Sequence, residues 1–234
     1  DSPITIGDPT MQAPLVKLCG LRTAADVAAA NAAQPDFAGF VIDVAGKRRS
    51  IPLARAVELA SSLDTTIRPV GVFVDAPVET VNRFLTEAPN AAVQLHGSED
   101  AAYIASLRSV AGLQAGHASD PAQARIIQAF RIATIGDTLR AAASTADLVL
   151  LDSGQGSGRT FDWRLLTGFP RAFLLAGGLG PDNLAQAMAK ARNAAGGFCV
   201  GVDMSSSLET NGAKDPKKML AAVRAARHEA AATT

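Results

Sequence analysis

The stretch Leu148-Val149-Leu150-Leu151-Asp152-Ser153 places four apolar residues in a row directly before a carboxylate. A short apolar run without polar alternation is typical of a strand covered on both faces, as in a parallel sheet. Eight such runs recur, and we predict strands at Leu15–Leu18, Phe37–Ile42, Pro69–Val74, Ala92–Leu95, Arg125–Phe130, Leu148–Leu151, Ala172–Ala176 and Phe198–Val202. Helix-like segments are predicted at Ala24–Asn31, Pro52–Ser62, Val78–Glu87, Glu99–Val110, Asp137–Ala143, Asp162–Leu166, Asn183–Ala191 and Pro216–Ala226.

Eight strand–helix units within 234 residues predict an α/β fold, a single-domain (β/α)8 TIM barrel. The alternative is an open, doubly wound sheet, which usually carries a GxGxxG fingerprint in its first strand-to-helix turn. That turn reads Cys19-Gly20-Leu21-Arg22-Thr23 here and lacks the fingerprint. The pattern therefore favours the barrel.

The barrel, as the catalytic domain, is expected to span residues 15–227. Residues 1–14 are polar with three prolines, so we expect a loose N-terminal extension, and residues 228–234 are expected to form a C-terminal tail. No segment reaches the length of a membrane span, and the start lacks the pattern of a signal peptide.

The balance of charges narrows the class of binding partner. The 22 basic and 22 acidic side chains cancel, so we expect neither nucleic acid nor a membrane as a partner. Any anion must then be bound by a local site.

The two cysteines form no disulfide framework, which indicates a reducing compartment and a cytoplasmic protein.

Unusual polar residues and glycines follow the predicted strands at their carboxyl ends, the face where barrels of this type place their active sites. They are Cys19; Lys47, Arg48 and Arg49; Gln94 and His96; Asp152; Gly177 and Gly178; and Asp203, Ser205 and Ser206. A thiol and a carboxyl group on one rim offer a base and an acid. The sequence therefore predicts proton-transfer chemistry on a small molecule.

The alternation of side chains along a strand separates the two cysteines. Residues two apart share a face, so Lys17 and Cys19 point the same way. Cys199 and Asp203 are likewise expected to share the interior face, with Cys199 about 13 Å deeper in the barrel. A Cys19–Cys199 disulfide is then unlikely on geometry, because bridged Cα atoms lie within about 7 Å. We interpret Cys199 as core filler and Cys19 as the functional thiol.

Eight ordered motifs carry a resemblance to a known family. They are Lys17–Leu21, Gly39–Val41, Gly71–Val74, Val93–Gly97, Leu150–Ser153, Gly156–Gly158 with Phe161–Trp163, Leu175–Leu179 with Pro181–Asn183, and Val202–Ser206. Together they resemble the phosphoribosylanthranilate isomerase family of tryptophan biosynthesis. The similarity runs from about residue 15 to residue 227.

The resemblance implies an Amadori rearrangement, in which an N-phosphoribosyl anthranilate becomes the matching 1-deoxyribulose 5-phosphate. It implies Asp152 as the general acid that opens the furanose ring and Cys19 as the general base that removes the proton from C2 of the sugar. Asp203 resembles the family's acid near the substrate nitrogen. No metal or organic cofactor is expected, because the substrate nitrogen serves as the electron sink.

The substrate of such a reaction carries a phosphate and a benzoate. Glycine turns and serines at helix starts suit a dianion, so Gly177, Gly178, Ser205 and Ser206 are the candidate phosphate ligands. An arginine fork suits the carboxylate, and the resemblance favours Arg49 with Arg48 as the alternative.

Three further residues complete the candidate site. Lys17, with the basic run 47–49, is expected to favour the thiolate of Cys19. Gln94 and His96 share a strand face and are expected in the wall of the substrate site, with His96 as a hydrogen-bonding residue more than a catalyst.

Several positions depart from the family pattern, Ser207 and Gln128 among them. Ser207 stands where the family usually has glycine, which would add strain of about 1 kcal/mol if the residue needs positive φ. Gln128 stands where the family has lysine, and the missing charge is expected to alter the pKa of its neighbours.

Two alternatives to the isomerase stay open at this point. One is another phosphosugar reaction, such as epimerisation or aldol cleavage, and the other is a non-catalytic protein that binds phosphorylated ligands. The oligomeric state, monomer or homodimer, is also left open.

Overall fold

A computed structural model describes residues 13–114, 120–154 and 162–232 of the chain, with side chains described up to residue 227. Eight parallel strands form its centre: Leu15–Cys19 (β1), Phe37–Ile42 (β2), Arg68–Phe73 (β3), Ala92–Leu95 (β4), Ile126–Arg131 (β5), Leu148–Asp152 (β6), Phe173–Ala176 (β7) and Cys199–Met204 (β8). Strand β1 pairs with both β2 and β8, so the sheet closes on itself. The prediction of a (β/α)8 barrel is confirmed, and the open sheet is excluded.

Seven α-helices surround the barrel in the described residues: Ala24–Ala33 (α1), Leu53–Ala60 (α2), Val78–Glu87 (α3), Ala101–Ala111 (α4), Ile135–Ala142 (α5), Leu184–Ala194 (α6) and Pro216–Ala232 (α7). Shorter elements are the 3₁₀ turns Pro121–Gln123, Trp163–Leu166 and Ser206–Leu208, the strand Ser50–Ile51 beside β2, and an antiparallel hairpin of Glu209–Thr210 with Ala213–Lys214. Local sequence sets the helix starts. The hydroxyl of Thr23, for example, accepts a hydrogen bond from the N–H of Asp26 over 3.1 Å and caps α1.

Most boundaries of the helices and strands differ from the predicted ones by three residues or fewer, and two predictions differ more. The helix predicted at Asp162–Leu166 is the 3₁₀ turn Trp163–Leu166, which ends at Thr167, where the backbone is extended. Helix α7, with a predicted end at Ala226, continues to Ala232. The motif Gly156–Gly158 and most of the N-terminal extension lie outside the described residues.

The core has two layers. One lies between the strands and the helices, and the other fills the barrel with side chains such as Phe37, Val70 and Leu150. Cys199 belongs to the outer layer, so the expectation that it points into the barrel is wrong. A register shift between β7 and β8 pairs Phe173 with Cys199 but Leu174 with Gly201, which turns the residues on either side of the irregularity to opposite faces.

Both cysteines are buried and free of a disulfide. Cys199 therefore fills space as expected, although on the other side of the sheet.

Candidate active site

A cavity of about 590 Å³ opens at the carboxyl ends of the barrel strands. It is lined by Cys19, Val41, Val44, Gly46, Lys47, Arg48, Arg49, Val72, Val74, Gln94, His96, Asp152, Ala176, Gly177, Gly178, Leu179, Asp203, Met204, Ser205 and Ser206. All the residues that the sequence singled out as site candidates line it, with the exception of Lys17.

Cys19 and Asp152 face this one cavity from β1 and β6, two strands that are separated around the barrel by β7 and β8. The carboxylate of Asp152 accepts a hydrogen bond from the N–H of Gly154 over 2.7 Å, which orients it at the end of its strand. Gly177 lies against it. A Cβ atom at Gly177 would be 2.7 Å from Asp152 Oδ1 and would overlap Ser153 Oγ, so this position accepts only glycine.

Lys17 lies beneath the cavity floor and is fully buried. Its Nζ donates to Asp203 Oδ1 over 2.8 Å. Burial alone would lower the pKa of Lys17, but the negative charge of Asp203 and the neighbouring sulfur of Cys19 raise it above its ordinary value. Lys17 is therefore a buried cation under the floor, and the free cavity does not expose it to a ligand.

Glycine at position 39 makes room for this arrangement. A Cβ atom there would lie 2.8 Å from Cys19 Sγ and 3.2 Å from Lys17 Nζ. Sulfur and ammonium thus share the space that Gly39 leaves open.

The pKa of the Cys19 thiol is raised above its ordinary value. Burial is the largest cause because it disfavours the charged thiolate, and the negative charge of Asp203 adds to it. The positive charges of Lys17 and Lys214 oppose the rise without cancelling it. Lys17 thus favours the thiolate as expected, but burial outweighs its effect and the net pKa of Cys19 is raised.

Gln94 and His96 form one wall of the cavity. Gln94 Nε2 and His96 Nδ1 are 2.8 Å apart, so the amide donates and Nδ1 accepts, which leaves the proton of a neutral ring on Nε2. Burial lowers the pKa of His96 despite the opposing charges of Asp152 and Asp203, so the ring is neutral at pH 7. Gln94 Oε1 is buried and has no hydrogen-bond partner among the described residues.

Sequence reasoning did not identify Glu209, the residue that organises the arginines. Its carboxylate accepts from Arg49 Nε over 2.6 Å and Arg49 Nη2 over 3.2 Å, and it also pairs with Arg48. Burial would raise the pKa of Glu209, but hydrogen bonds from Arg49 and Arg48 and the charge of Lys214 lower it to about 2.

A sequence signal for this segment was present. Asn211 and Gly212, both with positive φ, form the two-residue turn that joins Glu209–Thr210 to Ala213–Lys214. An Asn-Gly pair is a strong short-range hairpin signal.

The loop after β8 is tied to the end of β1. Ser205 Oγ donates to the carbonyl oxygen of Cys19 over 3.0 Å, so this hydroxyl is engaged within the protein. Lys214 Nζ donates to the carbonyl oxygen of Ser205 over 2.8 Å and to Glu209 Oε1 over 3.3 Å. The pKa of Lys214 is lowered, chiefly by burial.

The structure places both departures from the family pattern. Ser207 is not among the described non-glycine residues with positive φ, so the strain that positive φ would cause does not arise. Gln128 is hydrogen-bonded within the protein: its Nε2 donates to the carbonyl oxygen of Glu99 over 2.6 Å, and its Oε1 accepts from Ser144 Oγ over 2.5 Å. The expected effect of Gln128 on the pKa of its neighbours stays a prediction.

Within residues 13–114, 120–154 and 162–232, no group of His, Cys, Asp and Glu side chains is arranged to hold a metal ion. Over the same described ranges, none of the helices has the length and apolar character needed to cross a bilayer.

Comparison with known proteins identifies one protein family. The model of a family described as N-(5'phosphoribosyl)anthranilate (PRA) isomerase matches residues 16–225. An N-(5'-phosphoribosyl)anthranilate isomerase from Endomicrobium trichonymphae is 38% identical over 216 residues, which cover 90% of this chain and 97% of that protein.

Solved structures of members of this family are also similar to this chain. Phosphoribosyl anthranilate isomerase from Thermotoga maritima is 27% identical with a TM-score of 0.75, over 92% of this chain and 99% of that one. A further structure of such an isomerase, in complex with reduced 1-(o-carboxyphenylamino)-1-deoxyribulose 5-phosphate, is 26% identical with a TM-score of 0.72 over the same shares of the two chains.

Proposed function

Since the chain belongs to the N-(5'-phosphoribosyl)anthranilate isomerase family, we propose that it converts N-(5-phosphoribosyl)anthranilate into 1-(2-carboxyphenylamino)-1-deoxyribulose 5-phosphate in tryptophan biosynthesis. One observation carries the mechanistic part of this proposal. The cavity brings together arginines after β2 and glycine and serine turns after β7 and β8, with Cys19 and Asp152 on its walls. A substrate with an anion at each end fits such a layout.

The arginine side is the proposed site of the anthranilate ring and its carboxylate. Arg49 uses its Nε–Nη2 edge for Glu209, and its Nη1 has no hydrogen bond within the described part of the chain, so the Nη1–Nη2 edge is free for a bidentate carboxylate. Arg48 uses both terminal nitrogens, for Glu209 and the carbonyl oxygen of Gly212. We therefore favour Arg49 over Arg48. Val72 and Val74 supply apolar wall for the aromatic ring.

The glycine and serine turns after β7 and β8 are the proposed phosphate site. Gly177 and Gly178 both have positive φ, with values of 99° and 61°, and bring the backbone itself to the cavity surface. The 3₁₀ turn that begins at Ser206 leaves its first N–H groups without partners inside the turn. Gly177, Gly178 and Ser206 are the proposed ligands, and Ser205 contributes through its backbone because its hydroxyl is engaged with Cys19.

Asp152 and Cys19 would perform the two proton transfers. Asp152, holding a proton, gives it to the ring oxygen as the C1–O bond breaks, and the lone pair of the substrate nitrogen forms the C1=N bond of an iminium ion. Cys19 as thiolate removes the proton from C2, and the C–H electron pair forms C1=C2 while the nitrogen regains its lone pair. The resulting enol gives the ketone when its hydroxyl proton is lost and C1 is protonated. The electrons return to the nitrogen, so the balance needs no external oxidant or reductant.

The raised pKa of Cys19 shapes this role. A thiol of raised pKa is seldom ionised in the free site, but its thiolate is the stronger base once formed. The ammonium of Lys17 lies next to the sulfur and stabilises that thiolate as it appears.

Asp203, held by Lys17, is proposed to lie near the substrate nitrogen, where its charge stabilises the iminium ion. Gln94 Oε1 and His96 Nε2 are left to accept from and donate to sugar hydroxyls.

The test is the loss of anthranilate-type fluorescence when purified protein is added to N-(5-phosphoribosyl)anthranilate. We expect catalytic turnover to the deoxyribulose product. Binding of the substrate without turnover would favour a non-catalytic ligand-binding protein, and turnover of other phosphosugars alone would favour a different reaction of the same barrel. Residues 15–227 are the proposed catalytic domain, and the choice between monomer and homodimer stays a prediction for sedimentation analysis.

A further inference from the structure

Glu209 lies at the centre of a cluster of charges between two loops of the cavity. Its side chain is only 6% exposed and contacts three cations: Arg48, Arg49 and Lys214. A carboxylate that is shielded from water and carries a pKa of about 2 is fully charged at every pH at which the protein would work.

The hairpin that carries Glu209 is itself fixed in place. Lys214 is anchored to the carbonyl oxygen of Ser205, and Lys218 Nζ donates to the carbonyl oxygen of Glu209 over 2.8 Å. The turn of the hairpin reaches the loop after β2, because the carbonyl oxygen of Gly212 accepts from Arg48 Nη1 over 2.8 Å. Glu209 is thus held by β8 and its loop, while the arginines belong to a different loop.

Arg49 depends on this anchor for its orientation. Its side chain is 26% exposed and its carboxylate partner Glu209 comes from a different loop, so without that partner the arginine would sample many rotamers. Two hydrogen bonds to Glu209 fix the plane of the guanidinium and select which edge stays open. Glycine at position 20 leaves room for the Arg49 side chain, because a Cβ atom there would lie 2.6 Å from Arg49 Cδ.

We propose that Glu209 is a positioning residue that orders Arg49 before the substrate arrives, so that the free Nη1–Nη2 edge meets the substrate carboxylate in a preset orientation. The inference rests on the proposed function, because it assumes that Arg49 binds that carboxylate. Preorganisation removes the entropy of ordering a long side chain from the cost of binding.

Steady-state kinetics of four proteins test the proposal: the wild type, Arg49→Ala, Glu209→Gln and the double variant. We expect Arg49→Ala to raise KM about tenfold or more, the loss of one charge-assisted contact. Glu209→Gln should raise KM roughly three- to tenfold, the cost of ordering one long side chain, with kcat within about twofold of the wild type. In the Arg49→Ala background, Glu209→Gln should raise KM no further.

Thr210→Ala is the matched control, because Thr210 is exposed in the same hairpin and pairs with Asp215 rather than with an arginine. Its KM should equal that of the wild type. If Glu209→Gln does not fold, Glu209→Asp tests the same expectation, since it keeps the charge beside Lys214 but withdraws the carboxylate by one methylene.

The possible KM values distinguish the carboxylate role of Arg49 from the positioning role of Glu209. An unchanged KM in Arg49→Ala would overturn the carboxylate role of Arg49 in the proposed function. A raised KM in Arg49→Ala with an unchanged or lowered KM in Glu209→Gln would overturn only the positioning role. So would a KM increase that adds fully in the double variant, because Glu209 would then act independently of Arg49.

Discussion

Lys17 Nζ donates a hydrogen bond to Asp203 Oδ1 over 2.8 Å from a fully buried position beneath the cavity. The pair joins β1 to β8, the two strands that close the barrel, and it brings a positive charge next to the sulfur of Cys19. One ion pair therefore serves both the closure of the fold and the electrostatics of the site.

Removing this cation should destabilise the protein strongly. We expect Lys17→Met to lower the free energy of unfolding by about 3–5 kcal/mol, because Asp203 is left as a buried charge without its partner. Urea unfolding measures the difference. The exposed Lys217→Met is the control and should change it by less than about 0.5 kcal/mol; equal losses in the two variants would contradict the assignment.

The thiol of Cys19 should ionise at a higher pH than an ordinary thiol. Because its pKa is raised, the rate of alkylation should reach half of its plateau value only above the ordinary thiol pKa of about 8.5. The measurement is made in the Cys199→Ser background, which leaves a single thiol. A midpoint at or below that ordinary value would contradict the raised pKa.

Loss of either proposed proton-transfer group should abolish most turnover. We expect Cys19→Ser and Asp152→Asn each to lower kcat by about 10²–10⁴-fold with little change in product affinity. Cys199→Ser and Asp162→Asn are matched controls, since Cys199 faces the helices and Asp162 pairs with Arg164 at the surface. A kcat within about tenfold of the wild type in either test variant would contradict the assigned role of that residue.

Gly177 should not tolerate a side chain. Gly177→Ala places a methyl group against Asp152 Oδ1 and Ser153 Oγ, so we expect a large loss of kcat in addition to a backbone cost of about 1–3 kcal/mol. Gly196 also has a positive φ, of 63°, but nothing lies within 4 Å of a Cβ atom added there, so Gly196→Ala is the control. It should show the loss of stability alone, and similar kcat values for both variants would argue against the contact with Asp152.

Acid should weaken the cluster around Glu209. Its folded-state pKa of about 2 is below the unfolded value of about 4.3, so its charge stabilises the fold above pH 4.3 and this contribution is lost as the pH falls towards 2. The free energy of unfolding of the wild type should therefore exceed that of Glu209→Gln most above pH 5, and the gap should close towards pH 2. A gap that is constant with pH would contradict the ion pairs.

Much of the fold could be read from local pattern. Continuous apolar runs such as Leu148–Leu151 need cover on both faces, and their alternation with amphipathic segments leaves few architectures other than a barrel. The same pattern put Cys19, Asp152 and the glycine pair at strand ends that face one side. Exact strand ends were less predictable, because β8, for example, continues through Gly201 and Asp203 to Met204.

The misplacement of Cys199 has a different physical cause. Cys199 lies on the helix side because β8 is irregular where it pairs with β7; Gly201 within the strand is a signal for such an irregularity but does not give its position. The hydrogen bonds of Gln128 to Glu99 and Ser144 join segments far apart in the chain, which the sequence pattern does not bring together.

The number and order of the barrel strands follow from local sequence, because hydrophobic periodicity acts over a few residues. The charge states and ion pairs of the site follow only from the folded arrangement. Whether Lys17 or burial governs the thiol of Cys19, and which arginine Glu209 leaves with an open edge, depends on distances between segments far apart in the chain. Those energies arise from burial and Coulomb contacts that exist only once the barrel has closed.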